Sequence, residues 1–304
     1  MHPSPSGERI VSSIFKDAEE LTIARERFNA IVTGASRGLG RRIALEFWSR
    51  GANIALVARS RTDLELLRAS LPQAPQQEAE VVEADLADPA SPEAIVARVR
   101  EKWTTIHALV NNAAIVGPIG PLWENDWADW QRTIQINLLA PVALCRLCIS
   151  FMQRGAAIVN LSGGGATGPR PNFTAYGAAK TALVRFSETL AQEAAGSGIR
   201  VNAVAPGAMN TDMLEAVLRA GASKAGREYD LALRQKDGGG QSPDAAAALV
   251  YYLASPESAP VSGRLISAAW DRWWKLAEHA HELQSSDIYT LRRIRPEDRG
   301  EKWL

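Results

Sequence analysis

The chain has 304 residues, 46% hydrophobic and 22% charged, which is an ordinary globular balance and enough length for one large α/β domain or two small ones. Lys plus Arg and Asp plus Glu both count 34, and a net charge of zero gives no support to a nucleic-acid or acidic-membrane partner. The two cysteines, Cys145 and Cys148, cannot build a disulfide framework; with no second Cys or His pair at ligand spacing they read as buried helix thiols, and no metal site is expected.

Residues 1–27 open on Pro, Ser and Gly and turn loosely amphipathic from Ile14, which reads as an N-terminal arm and a short surface helix. They lack the apolar core of a signal peptide, and no apolar run reaches transmembrane length, so cytoplasmic residence is the expectation. A single large domain is expected over residues 28–270.

Phe28–Thr33 reads as a buried strand and runs straight into Gly34-Ala-Ser-Arg-Gly-Leu-Gly40, after which Ile43, Ala44, Phe47 and Trp48 recur with helical period. Strand, glycine turn and helix form the context in which backbone N–H groups can hold a pyrophosphate. Gly34 permits the sharp turn, Gly38 the close approach of a ligand, and Gly40 the close packing of helix on strand. The next strand, Asn53–Ala58, ends at Arg59-Ser60 rather than at an acid. An acid there would grip a ribose hydroxyl; Arg59, with Arg37 from the glycine turn, suits a 2′-phosphate and points to NADP(H) over NAD(H).

A helix over Thr62–Leu71 and a Pro- and Gln-rich loop lead to strand Glu80–Ala84, ending at Asp85-Leu86. A helix from Ser91 to Trp103, capped by Ser91, precedes strand Ile106–Val110, which runs into Asn111-Asn-Ala-Ala114. This β–α–β rhythm predicts a Rossmann-type doubly wound parallel sheet. One long helix is expected from about Asp126 to Met152, with Asn137 inside it. Strand Ala157–Leu161 delivers Ser162 at its carboxyl end, where ligands sit in open α/β sheets. A glycine-rich loop, Gly163–Gly168, follows.

The run Tyr176-Gly-Ala-Ala-Lys180 reads as helix, and a spacing of four puts phenol and ammonium on one face. A nearby cation favours the phenolate; poising a tyrosine of pKa ~10 near neutrality takes roughly 3 units, or about 4 kcal/mol. Such a group could serve as general acid/base on an alcohol or carbonyl oxygen. Taken alone, the pair more often decorates a solvated surface. Strand Ile199–Val204 ends at Pro206-Gly207, with Thr211 four residues on. From 209 to 243 the pattern weakens to a short helix over Thr211–Ala220 and a glycine run, which reads as a mobile cover over a site. Helix Asp244–Ala254 and strand Arg264–Ala268 complete about seven strands. The extension 271–304, which follows Trp270 and carries Trp273, Trp274 and Trp303, reads as packing on its own body or a sister subunit, or else as a lid.

These ordered motifs resemble the short-chain dehydrogenase/reductase family, compact branch, over about residues 28–270. The resemblance implies an NADP(H)-dependent oxidoreductase that interconverts a secondary alcohol and a ketone, with a small-molecule carbonyl or alcohol substrate and a homodimer or homotetramer. It implies that Tyr176 is the acid/base and that Lys180 binds the nicotinamide ribose and lowers the Tyr176 pKa. Ser162 would bond the substrate oxygen and Asn137 would hold a relay water. Gly34, Ser36, Arg37, Gly38, Leu39, Gly40, Arg59, Ser60, Asp85, Leu86, Asn112, Ala113, Ala114, Pro206, Gly207 and Thr211 would line the cofactor site. Two departures stand out: Ala114 where the family places glycine, and a serine fourteen residues before Tyr176 where thirteen is usual. Strict spacing lands on Gly163; Ser162 is the only hydroxyl there and is taken as the site serine. The alternative function is a cofactor-binding sensor or scaffold with this fold and little turnover. Sugar-nucleotide chemistry with recycled NAD is disfavoured by the glycine spacing.

Overall fold

The computed structural model describes residues 27–258 and 260–301; the expected N-terminal arm (residues 1–26 of it) and Trp303 lie outside the described residues. Seven strands form one sheet in the order β3-β2-β1-β4-β5-β6-β7: β1 Asn29–Thr33, β2 Asn53–Ala58, β3 Ala79–Glu83, β4 Ile106–Asn111, β5 Met152–Leu161, β6 Arg200–Ala205 and β7 Leu265–Ser267. Every pair is parallel. Helices cover both faces, so strand residues alternate between two cores with period 2. Ala30 and Val32 of β1 join the core under α1 (Gly38–Ser49) and α9 (Pro243–Ala254), while Ile31 joins the core under α3 (Ser91–Arg100), α5 (Ala140–Cys148) and α6 (Thr174–Glu193). The strand order reverses between β1 and β4, and that switch opens a crevice at the carboxyl ends of the strands.

Several expected elements differ. The long helix is broken into α4 (Trp127–Ile134), a π-turn over Gln135–Leu139, α5 and a short 3₁₀ turn. Asn137 sits in the π-turn with its amide Oδ1 accepting from Ile115 N (2.9 Å) and its Nδ2 donating to Ile115 O (2.8 Å). A buried amide satisfied from outside the helix favours the widened turn there. This helical run, Trp127–Phe151, is long and apolar enough to cross a membrane by length and composition; its stripe of Ile136, Ala140, Leu144, Cys145 and Cys148 packs on the sheet. Burial pushes the Cys145 thiol up to about 12 and Cys148 higher still. Ser91 caps nothing: its hydroxyl donates to Asp85 O at 2.7 Å, which ties α3 to the end of β3.

The stretch read as a weakly patterned cover is largely helical: α7 (Asp212–Ala225), kinked at Gly221, and α8 (Arg227–Asp237), separated by Gly226. Leu214, Val217, Ala225 and Ala232 from these helices pack with Phe173 and Tyr176 as a core of their own. The extension turns back on its own body. Trp273, Leu276 and Leu283 join the core beneath α9, while Arg264 donates to the carbonyls of Leu283, Ser286 and Ile288. Leu265 N of β7 donates to Tyr289 O at 2.8 Å, so the tail covers the outer edge of the sheet.

Candidate active site

Two glycines of the turn, Gly34 and Gly40, sit in close contacts that leave no room for side chains. A Cβ at Gly40 would overlap the Gly34 carbonyl oxygen, and Gly34 itself has φ +66 with Asn112 Nδ2 and the Ala113 backbone close by. Asn112 Nδ2 donates to Thr33 O at 2.8 Å, and the Thr33 hydroxyl accepts from the N–H groups of Asn112 and Ala113. The ends of β1 and β4 are thereby fastened together on either side of the switch. Arg37 precedes α1 without a side-chain cap, and the first helical N–H to find an acceptor is that of Arg41, on Arg37 O. The N–H groups of Gly38, Leu39 and Gly40 therefore find no acceptor among the described residues. A glycine cradle with open N–H groups at the start of a twelve-residue helix fits a pyrophosphate.

This turn opens on a cavity of about 1550 Å³, and every residue expected at the site lines it except Asn137. Gly34, Ser36, Arg37, Gly38, Leu39 and Gly40 form one wall, with Arg59, Ser60, Asp85 and Leu86 beyond them. Asn112, Ala113 and Ala114 follow the end of β4, Ser162 follows β5, Tyr176 and Lys180 come from α6, and Pro206, Gly207 and Thr211 follow β6. Arg37 and Arg59 are exposed, and Arg37 pairs with Asp212 of α7 at 2.6 Å across the opening. Asn137 lies outside the lining, fully buried, and its bonds to Ile115 hold the chain that follows Ala114.

Tyr176 and Lys180 share the inward face of α6 with Ala179, Leu183 and Val184. The expected electrostatics differ in one respect. Lys180 Nζ donates to Leu161 O at 2.7 Å and lies 5.9 Å from the Tyr176 ring centre. Burial lowers the pKa of Lys180 itself to about 8. Burial likewise pushes the Tyr176 phenol above its ordinary value, and the cation pulling it back is Arg170, 5.8 Å from the ring centre. While protonated, Lys180 at that distance still favours the phenolate; its lowered pKa narrows the pH range over which it does so. Arg170 was not legible in the sequence. It follows the glycine loop, pairs with Glu228 of α8 at 2.7 Å and sits over Phe173. Nor did the sequence reveal the apolar wall of Met209, Met213, Leu214, Val217 and Leu231, or Trp270 at 84% exposure on the rim.

Ser162 lines the cavity as expected, but its hydroxyl is covered. Its hydroxyl oxygen is buried without a hydrogen-bond partner, and its N–H still pairs with Val204 O at 2.7 Å, which continues the β5–β6 ladder. Period 2 puts it on the side of Asn160, whose Nδ2 donates to Ser187 Oγ of α6 at 2.8 Å, so its side chain enters the layer between sheet and helix. Gly163 takes the expected place: a Cβ there would overlap the Tyr176 hydroxyl and stand 3.0 Å from its Cζ.

A doubly wound sheet with a glycine cradle at its switch and a buried Tyr/Lys pair across the same cavity defines a dinucleotide-binding α/β enzyme. Comparison with known proteins narrows this. The family profile described as short chain dehydrogenase matches residues 29–221. A 3beta-hydroxysteroid dehydrogenase of Eggerthella lenta is 33% identical over 238 residues, 77% of this chain and 88% of that one. The crystal structure of levodione reductase superposes with a TM-score of 0.72 at 28% identity, covering 80% of this chain and 96% of that one. A blue fluorescent protein from a metagenomic library, solved with NADPH, gives a TM-score of 0.67 at 29% identity, covering 81% and 97%. The chain belongs to the short-chain dehydrogenase/reductase family and is an oxidoreductase acting on CH–OH groups.

Proposed function

We propose that the chain interconverts a secondary alcohol and a ketone with NADP(H), using Tyr176 as the general acid/base. The observation that carries this reading is the convergence of the glycine cradle and the Tyr176/Lys180 face on one cavity. The nicotinamide, when bound, supplies the two electrons and the hydrogen that go to the carbonyl carbon. The chain's own residues do the rest. In reduction Tyr176 donates its proton to the carbonyl oxygen, and in oxidation it takes the proton back. Lys180, anchored on Leu161 O, holds the nicotinamide ribose and exchanges protons with the phenol side of the site. Asn137 keeps the segment after Ala114 in place by its two bonds to Ile115. Arg37 and Arg59 favour a 2′-phosphate, since no acid stands at the end of β2; Arg37 must leave Asp212 to reach it.

The test has two parts. NADPH and NADH binding is measured by fluorescence titration for the natural chain and for Arg37→Ala with Arg59→Ala. NADPH should bind at least tenfold tighter, and the double variant should lose that margin; equal affinity rejects the preference. A panel of ketones is then screened by NADPH absorbance. Tyr176→Phe should abolish turnover with NADPH affinity kept, and undiminished turnover in that variant removes Tyr176 from the chemistry.

A further inference from the structure

The loop that follows β5 is where this site departs most from its expected form. Gly163 stands where a hydroxyl-bearing side chain was expected, and no side chain fits between it and the phenol. A Cβ lies about 1.5 Å from its Cα, so the Tyr176 oxygen is within about 4 Å of the Gly163 backbone. Around that backbone the N–H groups are open. Ser162 N is used by the sheet and Ala166 N bonds Gly163 O, whereas the N–H groups of Gly163, Gly164 and Gly165 meet no acceptor among the described residues. All three glycines line the cavity. The Ser162 hydroxyl is covered, and strand alternation puts it on the side of Asn160 and Ser187.

On the reading that Tyr176 is the acid/base, we infer that the substrate oxygen is held by the Tyr176 hydroxyl and a backbone N–H of the Gly163-Gly164 pair, and not by a serine hydroxyl. As the carbonyl carbon gains its hydrogen with the bonding pair, the C=O π pair moves onto oxygen, and the phenol proton follows it to give the alcohol. The N–H donor stays fixed and stabilises charge developing on that oxygen, as an oxyanion hole does. Glycine serves this arrangement twice. It bares the N–H to the ligand, and it lets the phenol come down onto the backbone so that both donors reach one oxygen. A single oxyanion-hole donor is worth ~10²–10³ in kcat.

Three variants test this on the full chain with the ketone that turns over fastest in the panel. Ser162→Ala should keep kcat within about threefold of the natural chain, against the ~10²-fold or greater loss expected of a donor to the substrate oxygen. Gly163→Ala and Gly163→Ser should both lower kcat at least about 30-fold with NADPH affinity unchanged, since the added Cβ displaces the phenol. A crystal structure of the NADP⁺ complex soaked with the alcohol product supplies a readout independent of rate: the product oxygen should lie within hydrogen-bond reach, ~3.2 Å or less, of Gly163 N or Gly164 N and of Tyr176 Oη. Loss of turnover in Ser162→Ala, a gain of turnover in Gly163→Ser, or a product oxygen bonded to Ser162 Oγ overturns the inference. Those outcomes leave the acid/base role of Tyr176 standing; only Tyr176→Phe tests that role.

Discussion

Lys180 makes a quantitative claim that can be measured without any substrate. Its side chain is 2% exposed, its ammonium bonds Leu161 O, and its pKa falls from 10.5 to about 8. The unfolded chain keeps that proton up to about 10.5 while the folded chain releases it near 8, so between these values the unfolded state holds more protons and stability rises with pH. Below pH 8 the folded protein carries the whole cost of a buried ammonium, roughly 2.5 units or about 3 kcal/mol, with no solvent screening to reduce it. Lys180→Met removes the titrating group and leaves the Leu161 carbonyl unpaired, a loss of about 1–3 kcal/mol that does not depend on pH. Urea unfolding of both proteins without cofactor at pH 7, 8.5 and 10 isolates the effect, because all other groups cancel in the difference. Relative to Lys180→Met, the natural chain should gain about 2.5 kcal/mol between pH 7 and pH 10, short of the full shift because the unfolded lysine already titrates at pH 10. A difference that stays flat, or that moves the other way, would mean that Lys180 ionises as a solvated lysine and that its placement is wrong.

Three other perturbations follow from the packing. Gly40→Ala drives a Cβ into the Gly34 carbonyl and against Asn112; NADPH affinity should fall at least tenfold in a fluorescence titration, with the melting temperature lowered as well. Arg200 is 6% exposed and donates to the carbonyls of Leu253, Ala254, Ser255 and Gly155 and to the Ser258 hydroxyl. Arg200→Met strands these acceptors and should cost about 3 kcal/mol or more by denaturant unfolding; a loss below about 1 kcal/mol would contradict the bonding described. Ending the chain before Ser286 removes Tyr289 O from Leu265 N and Leu291 N from the Glu188 carboxylate, where it donates at 2.7 Å. The bared β7 edge should then promote association, seen as concentration-dependent light scattering; an unchanged monodisperse profile would show that the tail does not protect the edge.

The sheet was legible in the sequence because local signals agreed at each of its elements. Short apolar strands alternate with helical repeats, and glycine, proline and asparagine mark the carboxyl ends where the site forms. The gathering of Gly34–Gly40, Asn112–Ala114, Tyr176, Lys180 and Pro206–Gly207 into one cavity follows from that topology, since a parallel sheet brings all its strand ends to one side. The cover was misread because α7 and α8 are interrupted by Gly221 and Gly226, and their apolar residues pack on Phe173 and Tyr176 rather than on the sheet. Spacing alone could not decide between Ser162 and Gly163. That turned on how far the β5–β6 ladder runs, because one more paired residue sends the serine into the layer beneath the helix. The cation beside the phenol was likewise settled only in three dimensions. Four residues along a helix give a shared face, but a charge acts through distance and burial, and packing also brings Arg170, from the loop just before α6, as near the phenol ring (5.8 Å) as Lys180 (5.9 Å). Residue type and order thus determine which groups reach the cavity; the packed chain determines which of them still has a hydrogen bond or a charge to give.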